Sequence, residues 1–438
     1  MKKKAALLLA LALALALTAC GKRQEKPKPD GNTPETEESA PFAGGTGTEE
    51  DPYLIATASD LAAVAGDLSA CYRLDADIDL SGVDWTPIGT YTHTGNKDAD
   101  NGTVNPDLPD PDIPDEANAF TGIFDGGSHT ISNLTVGAAD GYCVGLFGCI
   151  ANAHIYNLTL DSVTVDGERM AGAVAGYTYN SRLTAVSLTG TNTITGYNGE
   201  GRNAEMIGGM LGRGKDSLID SCAARARIIL MDGARNAGIL CGDLETSSVI
   251  NGYATGTLTA GTDCYGLGGI SGSAFGSEEV INCTAENVRI VTGDNARMVG
   301  GLLGYAGGYE DEAYGIPVTA VSRCTVNGVE IATGKDPAAV GGLVGGGFYL
   351  DEMASIGAPY DAATVFTVQD CTVTAVVNGE ETTGTAQGGG PETPPDADQD
   401  AGQPEQSEAE PDEAGPEGSQ EAAQFEQPKP AQSAADQG

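Results

Sequence analysis

The chain has 438 residues, with 62 acidic side chains against 22 basic ones and a formal net charge of −40. That balance repels nucleic acid, anionic head groups and anionic polysaccharides, and leaves neutral or cationic partners. Ten cysteines and three histidines occur without a CxxC or a Cys/His pairing, which argues against a structural zinc site.

Residues 1–19 read as a bacterial lipoprotein signal peptide. Lys2, Lys3 and Lys4 form a basic head, and a Leu/Ala run follows that is too short for an ordinary membrane span. Leu17-Thr18-Ala19-Cys20 matches a lipobox, so Cys20 is the expected lipidation site and tie to the membrane. Residues 20–45 are rich in Lys, Glu, Pro, Thr and Gly and read as a disordered tether.

Residues 46–130 read as an N-terminal capping region. Thr57 or Ser59 is the expected N-cap of a short helix carrying Leu61, Val64, Ala65 and Leu68 on one face. Tyr72 to Leu80 alternates apolar and polar as a strand does. Residues 91–118 form an Asp, Asn, Pro and Gly-rich surface loop. Within it Asn96-Lys97-Asp98-Ala99-Asp100-Asn101-Gly102 faintly resembles a calcium loop, but it lacks the sixth-position glycine and the distant Glu. No metal or other cofactor is expected.

From 131 to 378 a glycine motif recurs. Its copies include Gly145-Leu146-Phe147-Gly148, Gly208-Gly209-Met210-Leu211-Gly212 and Gly300-Gly301-Leu302-Leu303-Gly304. The closing glycines fall at 148, 176, 212, 242, 272, 304 and 345. A period of this size signals stacked units that bury their apolar faces only against neighbours. An apolar–x–polar–apolar strand keeps step with the glycines, and its fourth position reads Leu134, Leu158, Val186, Cys222, Tyr253, Cys283, Cys324 and Cys371. Two strand signals per repeat, with no helical stretch between, predict one coil of a parallel β-helix; the crossover rule makes it right-handed. The four cysteines in this column are expected to be core thiols, with disulfides between adjacent coils as the alternative. Residues 379–438 hold 15 acidic side chains, eight prolines and the single Lys429, and read as a disordered acidic tail.

The pieces Asp51-Pro52-Tyr53-Leu54-Ile55, Asp77-Ile78-Asp79-Leu80, Trp85-Thr86-Pro87-Ile88-Gly89, Phe124 to Ile131 and Gly145-Leu146-Phe147-Gly148 together resemble the GLUG-motif repeat family. The resemblance covers about residues 46–378 and implies a bacterial cell-surface repeat protein, adhesin-like in some members. The motif also occurs beside the catalytic domain of the IgA-specific metalloendopeptidase family. That chemistry needs a His-Glu-x-x-His helix, and none of His93, His129 and His154 is followed by Glu. No catalytic residue is carried over, and no enzyme activity is expected.

Aromatic residues gather just after the closing glycines: Tyr177, Tyr179, Phe275, Tyr305, Tyr309, Tyr314, Phe348 and Tyr349. If the coils stack, these residues line one edge suited to sugar rings, so a glycan or a host surface protein is the expected partner. The whole therefore reads as an all-β, right-handed parallel β-helix with a short capping helix and disordered ends, acting as a lipid-anchored binding or adhesion module. The alternatives are a polysaccharide-acting lyase or hydrolase using carboxylates such as Asp125, Asp220 and Asp370, and a structural envelope component.

Overall fold

The computed structural model describes residues 42–91, 113–137, 141–199, 202–276, 279–308, 319–347 and 366–386. The expected signal peptide, Cys20, the calcium-like segment and the aromatics Tyr309, Tyr314, Phe348 and Tyr349 lie outside these residues.

The fold is a parallel β-helix. Its strands stack into four sheets of 10, 13, seven and seven strands, here called sheets I to IV. Seven of the coils visit all four in turn. The coil that opens at Leu218–Asp220 in sheet I continues through Ala223–Leu230 in sheet II, Arg235–Gly238 in sheet III and Cys241–Glu245 in sheet IV. The sequence showed two of these four strands per coil. The short strands of sheets III and IV hide inside the glycine motif, where periodicity has too few residues to register.

Corners are where the backbone pays its steric costs. Between sheets I and II the chain turns at Asn157, Ala185, Ser221, Asn251, Asn282, Arg323 and Asp370, all left-handed with φ between 53° and 56°. Asn and Asp tolerate this region best among residues with a Cβ. Their side chains also bond along the stack: Asn282 Nδ2 donates to Asn251 Oδ1 at 2.7 Å, and Asn251 Nδ2 to Asp220 Oδ1 at 3.2 Å. Ala185 occupies the same corner, exposed and without such a side chain. Ala185→Asn is therefore expected to stabilise the protein by about 1 kcal/mol, read as a higher denaturant midpoint with an unchanged slope.

The core is a continuous apolar column. Leu158, Val186, Cys222, Cys283, Cys324 and Cys371 all have 1% or less of their surface exposed. Two members of the expected column belong elsewhere. Ile219 pairs with Val249, so Gly252 and not Tyr253 follows the corner in that coil. Ile131 pairs with Leu160, which puts Leu134 beside Val163, one corner further on. Both slips arise because neighbouring corners repeat the same apolar–x–polar–apolar pattern. The stacked thiols are free, and the Cys283 and Cys324 amides point at the sulfur one coil on, each at 3.4 Å. Burial pushes the Cys222 thiol up to about 12. Cys71, outside this column, is disulfide-bonded.

Both ends differ from expectation. Tyr53–Ile55 already pairs in parallel with Cys71–Leu74 in sheet I, so the solenoid begins inside the region read as a cap. The helix Ala58–Ala63 links these strands through a capping box in which Thr57 accepts from the Asp60 amide, and it buries Leu61. At the other end Cys371–Val377 turns at Asn378-Gly379 and meets Glu380–Ala386 antiparallel. Every other ladder between the described strands is parallel. The segment from 379 thus opens with a strand before the acidic tail.

Candidate binding face

Sheets III and IV meet at the glycine motif, and their outward side chains form straight ladders. On sheet IV the residue after each closing glycine stacks as Cys149, Tyr177, Arg213, Asp243, Ser273 and Tyr305. Two positions further, Ala151, Tyr179, Lys215, Glu245, Phe275 and Gly307 make a second ladder. On sheet III the residue three places before the motif stacks as Tyr142, Arg169, Glu205, Arg235, Tyr265, Arg297 and Ala338.

The expected aromatic edge is only partly realised. Tyr179 and Phe275 are half-buried in one ladder, separated by the two rungs Lys215 and Glu245. Tyr177 is fully buried and Tyr305 is 6% exposed. Both lie in the crease between sheets III and IV. Tyr177 packs with Cys143, Met170 and Met206 in an apolar cluster separate from the main core, and meets Tyr91 edge-on at 5.3 Å. Tyr305 stacks near Tyr265 at 5.2 Å, over the space left by Gly266. These two rings are packing residues. Their exit from the coil was legible in the sequence, but the crease that receives them was not. The residues filling it, Cys143, Met170, Met206 and Met298, sit in left-handed backbone that interrupts strand alternation.

A buried charge network occupies the middle of sheet IV. Arg213 Nε lies 3.3 Å from Asp243 Oδ2, and Lys215 Nζ lies 2.7 Å from Glu245 Oε1. Arg213 also pairs with Glu245 and lies 5.6 Å from the centre of the Tyr177 ring. Ser273 donates to Asp243. Burial raises the Asp243 carboxyl to about 6, against the opposing pull of Arg213 and Ser273.

The sheet III ladder is the more accessible. Glu168, Arg169, Arg202, Asn203, Glu205 and Arg235 line a depression of about 250 Å³. Tyr142 stands beside two of these arginines, with the Arg169 and Arg202 guanidinium carbons 5.8 and 5.3 Å from its ring centre. Arg202 Nε lies 2.7 Å from Glu168 Oε1, and Arg169 Nε 3.2 Å from Glu205 Oε2. Burial alone would lower Arg169, but Glu205 and Tyr142 outweigh it and hold its guanidinium above the ordinary value. Asn236 Oδ1, one position after Arg235, is buried without a hydrogen bond among the described residues. This ladder was not anticipated. Its signal was the fixed spacing of three residues ahead of each motif glycine, which net charge obscures.

The carboxylates considered for catalysis do not converge. Asp125 and Asp220 share a column of sheet I but stand three rungs apart, about 14 Å at strand spacing. Two-carboxylate glycosidases work at about 5–10 Å. Each has its own cation: Arg73 at 3.6 Å and Arg182 at 3.8 Å.

No protein-family model matches the chain. Over 175 residues it is 35% identical to halomucin of Haloquadratum walsbyi, covering 38% of this chain and 2% of that protein. Over 154 residues it is 35% identical to a protein of Evansella cellulosilytica named as a Gly-rich membrane protein, covering 32% of this chain and 15% of the other. The chain therefore matches only a small part of these curated relatives. Among solved structures, a protein from Bacteroides ovatus described as an immunoglobulin A1 protease aligns at a TM-score of 0.41 and 19% identity, over 72% of this chain and 89% of that one. A second, titled IgA1 protease, aligns at a TM-score of 0.39 and 16% identity, over 67% of this chain and 20% of that one.

Proposed function

We propose that the protein is a lipid-anchored cell-surface repeat module of GLUG type that binds a glycan or a surface protein through the outer face of sheets III and IV. The observation that carries this reading is the depression of about 250 Å³ lined by Glu168, Arg169, Arg202, Asn203, Glu205 and Arg235 on the sheet III ladder, with Tyr142 against two of its arginines. Charged forks beside an aromatic face can take the hydroxyls and the C–H face of a sugar, or the polar groups of a protein surface. Straight ladders at strand spacing suit a long, repetitive ligand. The names of the curated relatives, halomucin and a Gly-rich membrane protein, support a surface location. The lipobox at Cys20 supplies the anchor.

Two experiments test it. Cys20→Ser is expected to move the protein from the membrane fraction to the medium; retention in the membrane would discard the lipid anchor. The released chain, applied to an array of glycans and extracellular-matrix proteins, is expected to capture a ligand that Tyr142→Ala together with Arg202→Ala abolishes. Shortening of a polysaccharide on prolonged incubation, without stable capture, would replace this reading with the enzymatic one.

A further inference from the structure

Six of the thirteen lysines and arginines among the described residues lie on or beside sheets III and IV: Arg169, Arg202, Arg213, Lys215, Arg235 and Arg297. The distribution matters more than the net charge of −40, because charges further off than about 8 Å are largely screened at physiological salt.

The order of the sheet III ladder is specific. Arg169 is followed one rung on by Glu205, then Arg235, Tyr265 and Arg297. Arginine thus recurs on every second coil, at about 9.6 Å for two strand spacings. Arg169 is paired to Glu205, whereas Arg235 and Arg297 are exposed and have no carboxylate partner among the described residues. The rungs between the arginines carry a carboxylate and an aromatic ring, the groups that accept from hydroxyls and pack against the C–H face of a sugar.

An acidic margin runs beside this ladder. Asp232, Asp263 and Asp294 precede Arg235, Tyr265 and Arg297 by three, two and three residues. These carboxylates are spent within the fold. Asp232 accepts from the Thr262 amide at 2.8 Å, Asp263 from Asn295 Nδ2 at 3.0 Å and Asp294 from the Lys335 amide at 2.8 Å. They still repel a ligand with a charge on every unit, so the face tolerates anions only where the arginines stand.

We infer that the sheet III ladder binds a linear acidic polysaccharide bearing a carboxylate on every second sugar, laid along the solenoid axis. The charged sugars meet Arg235 and Arg297, whose planar guanidinium groups match a carboxylate in bidentate fashion. The uncharged sugars lie over Glu205 and Tyr265. This reverses, for one face, the expectation from net charge that anionic polysaccharides are excluded. It rests on the binding-module reading and names the ligand class for that face.

The test uses the full chain carrying Cys20→Ser at physiological salt. Three immobilised polymers serve as probes: hyaluronan with a carboxylate on alternate sugars, polygalacturonate with one on each sugar, and neutral dextran. Hyaluronan is expected to bind best. Arg235→Gln with Arg297→Gln should weaken that binding about tenfold per arginine, whereas Arg289→Gln, the same charge change on sheet II, should leave it unchanged. Both targets are exposed, and matching melting temperatures would show that the fold is intact. Absence of hyaluronan binding, or binding indifferent to the double substitution, would overturn the inference. Equal or tighter binding to polygalacturonate would overturn the alternate-sugar register. Capture of dextran or of a matrix protein alone would remove the acidic ligand while leaving the wider binding role standing.

Discussion

Gly242→Ala is expected to unfold most of the molecule's middle. A Cβ at this position would lie 2.5 Å from Gly212 O, Ile207 N and Met206 C. All three are backbone atoms of the preceding coil, so no side chain can swing aside. Overpacking typically costs about 1–3 kcal/mol where a core can relax, and here relaxation would have to pry two coils apart. We expect a loss of about 4 kcal/mol or more, in the class of rare, mechanism-revealing substitutions. Gly66→Ala is the matched control, because nothing lies within 4 Å of the added methyl; it should leave stability within about 1 kcal/mol. Thermal unfolding followed by far-ultraviolet circular dichroism reads both. Gly242→Ala melting with the parent would mean that coils are looser at the glycine corner than the structure shows.

Asp243→Asn is expected to change the sign of the protein's response to mild acid. Asp243 is raised by burial from 3.8 to about 6. Its folded form therefore holds a proton that the unfolded chain has lost, so its contribution is full below about pH 4 and disappears as pH rises through 6. His154 works oppositely. Burial, then the neighbouring Arg182, lowers it from 6.5 to about 4, so its contribution is present above pH 6.5 and is lost as pH falls through 4. The two shifts span nearly the same interval with opposite sign. Asp243 is worth on the order of 2–3 kcal/mol; the more exposed His154, discounted for solvent screening, is worth about 1–2 kcal/mol. The intact protein should be mildly more stable at pH 4.5 than at pH 7 as far as this pair decides. Asp243→Asn should reverse that trend, and His154→Gln should steepen it. A pH series of melting curves on the three proteins decides the matter: parallel curves would show that neither group titrates differently on folding.

What the sequence made legible follows from physical scale. Glycine spacing and the apolar column recur every coil, and both report contacts along the stack. They disclosed the solenoid and its buried thiols. The strands of sheets III and IV are only three to five residues long and flank or overlap the glycine motif, so alternation could not reveal them. The corner residues Asn157, Asn251 and Asn282 were visible as asparagines but not as a ladder. For the candidate face, the sequence pointed to sheet IV, where Tyr179 and Phe275 stand half-buried in one ladder. It misjudged Tyr177 and Tyr305, because whether an outward ring is covered depends on Met170, Met206 and Gly266 arriving from a different strand. It missed the arginine ladder because a single Arg per coil is invisible until register sets Arg235 two rungs from Arg169.

The last hairpin has a bearing on how this molecule behaves in a crowd. A parallel solenoid ends in a row of open amide and carbonyl groups, a template on which a second chain could extend the sheet indefinitely. Here Glu380–Ala386 runs back along Cys371–Val377 in the opposite direction, so on sheet II an incoming coil meets a strand of the wrong polarity. Glu380 and Glu381 add exposed negative charge to that strand. The hairpin thus closes sheet II to end-to-end fibre growth, and a chain truncated before Gly379 would regain an edge from which amyloid-like filaments can start.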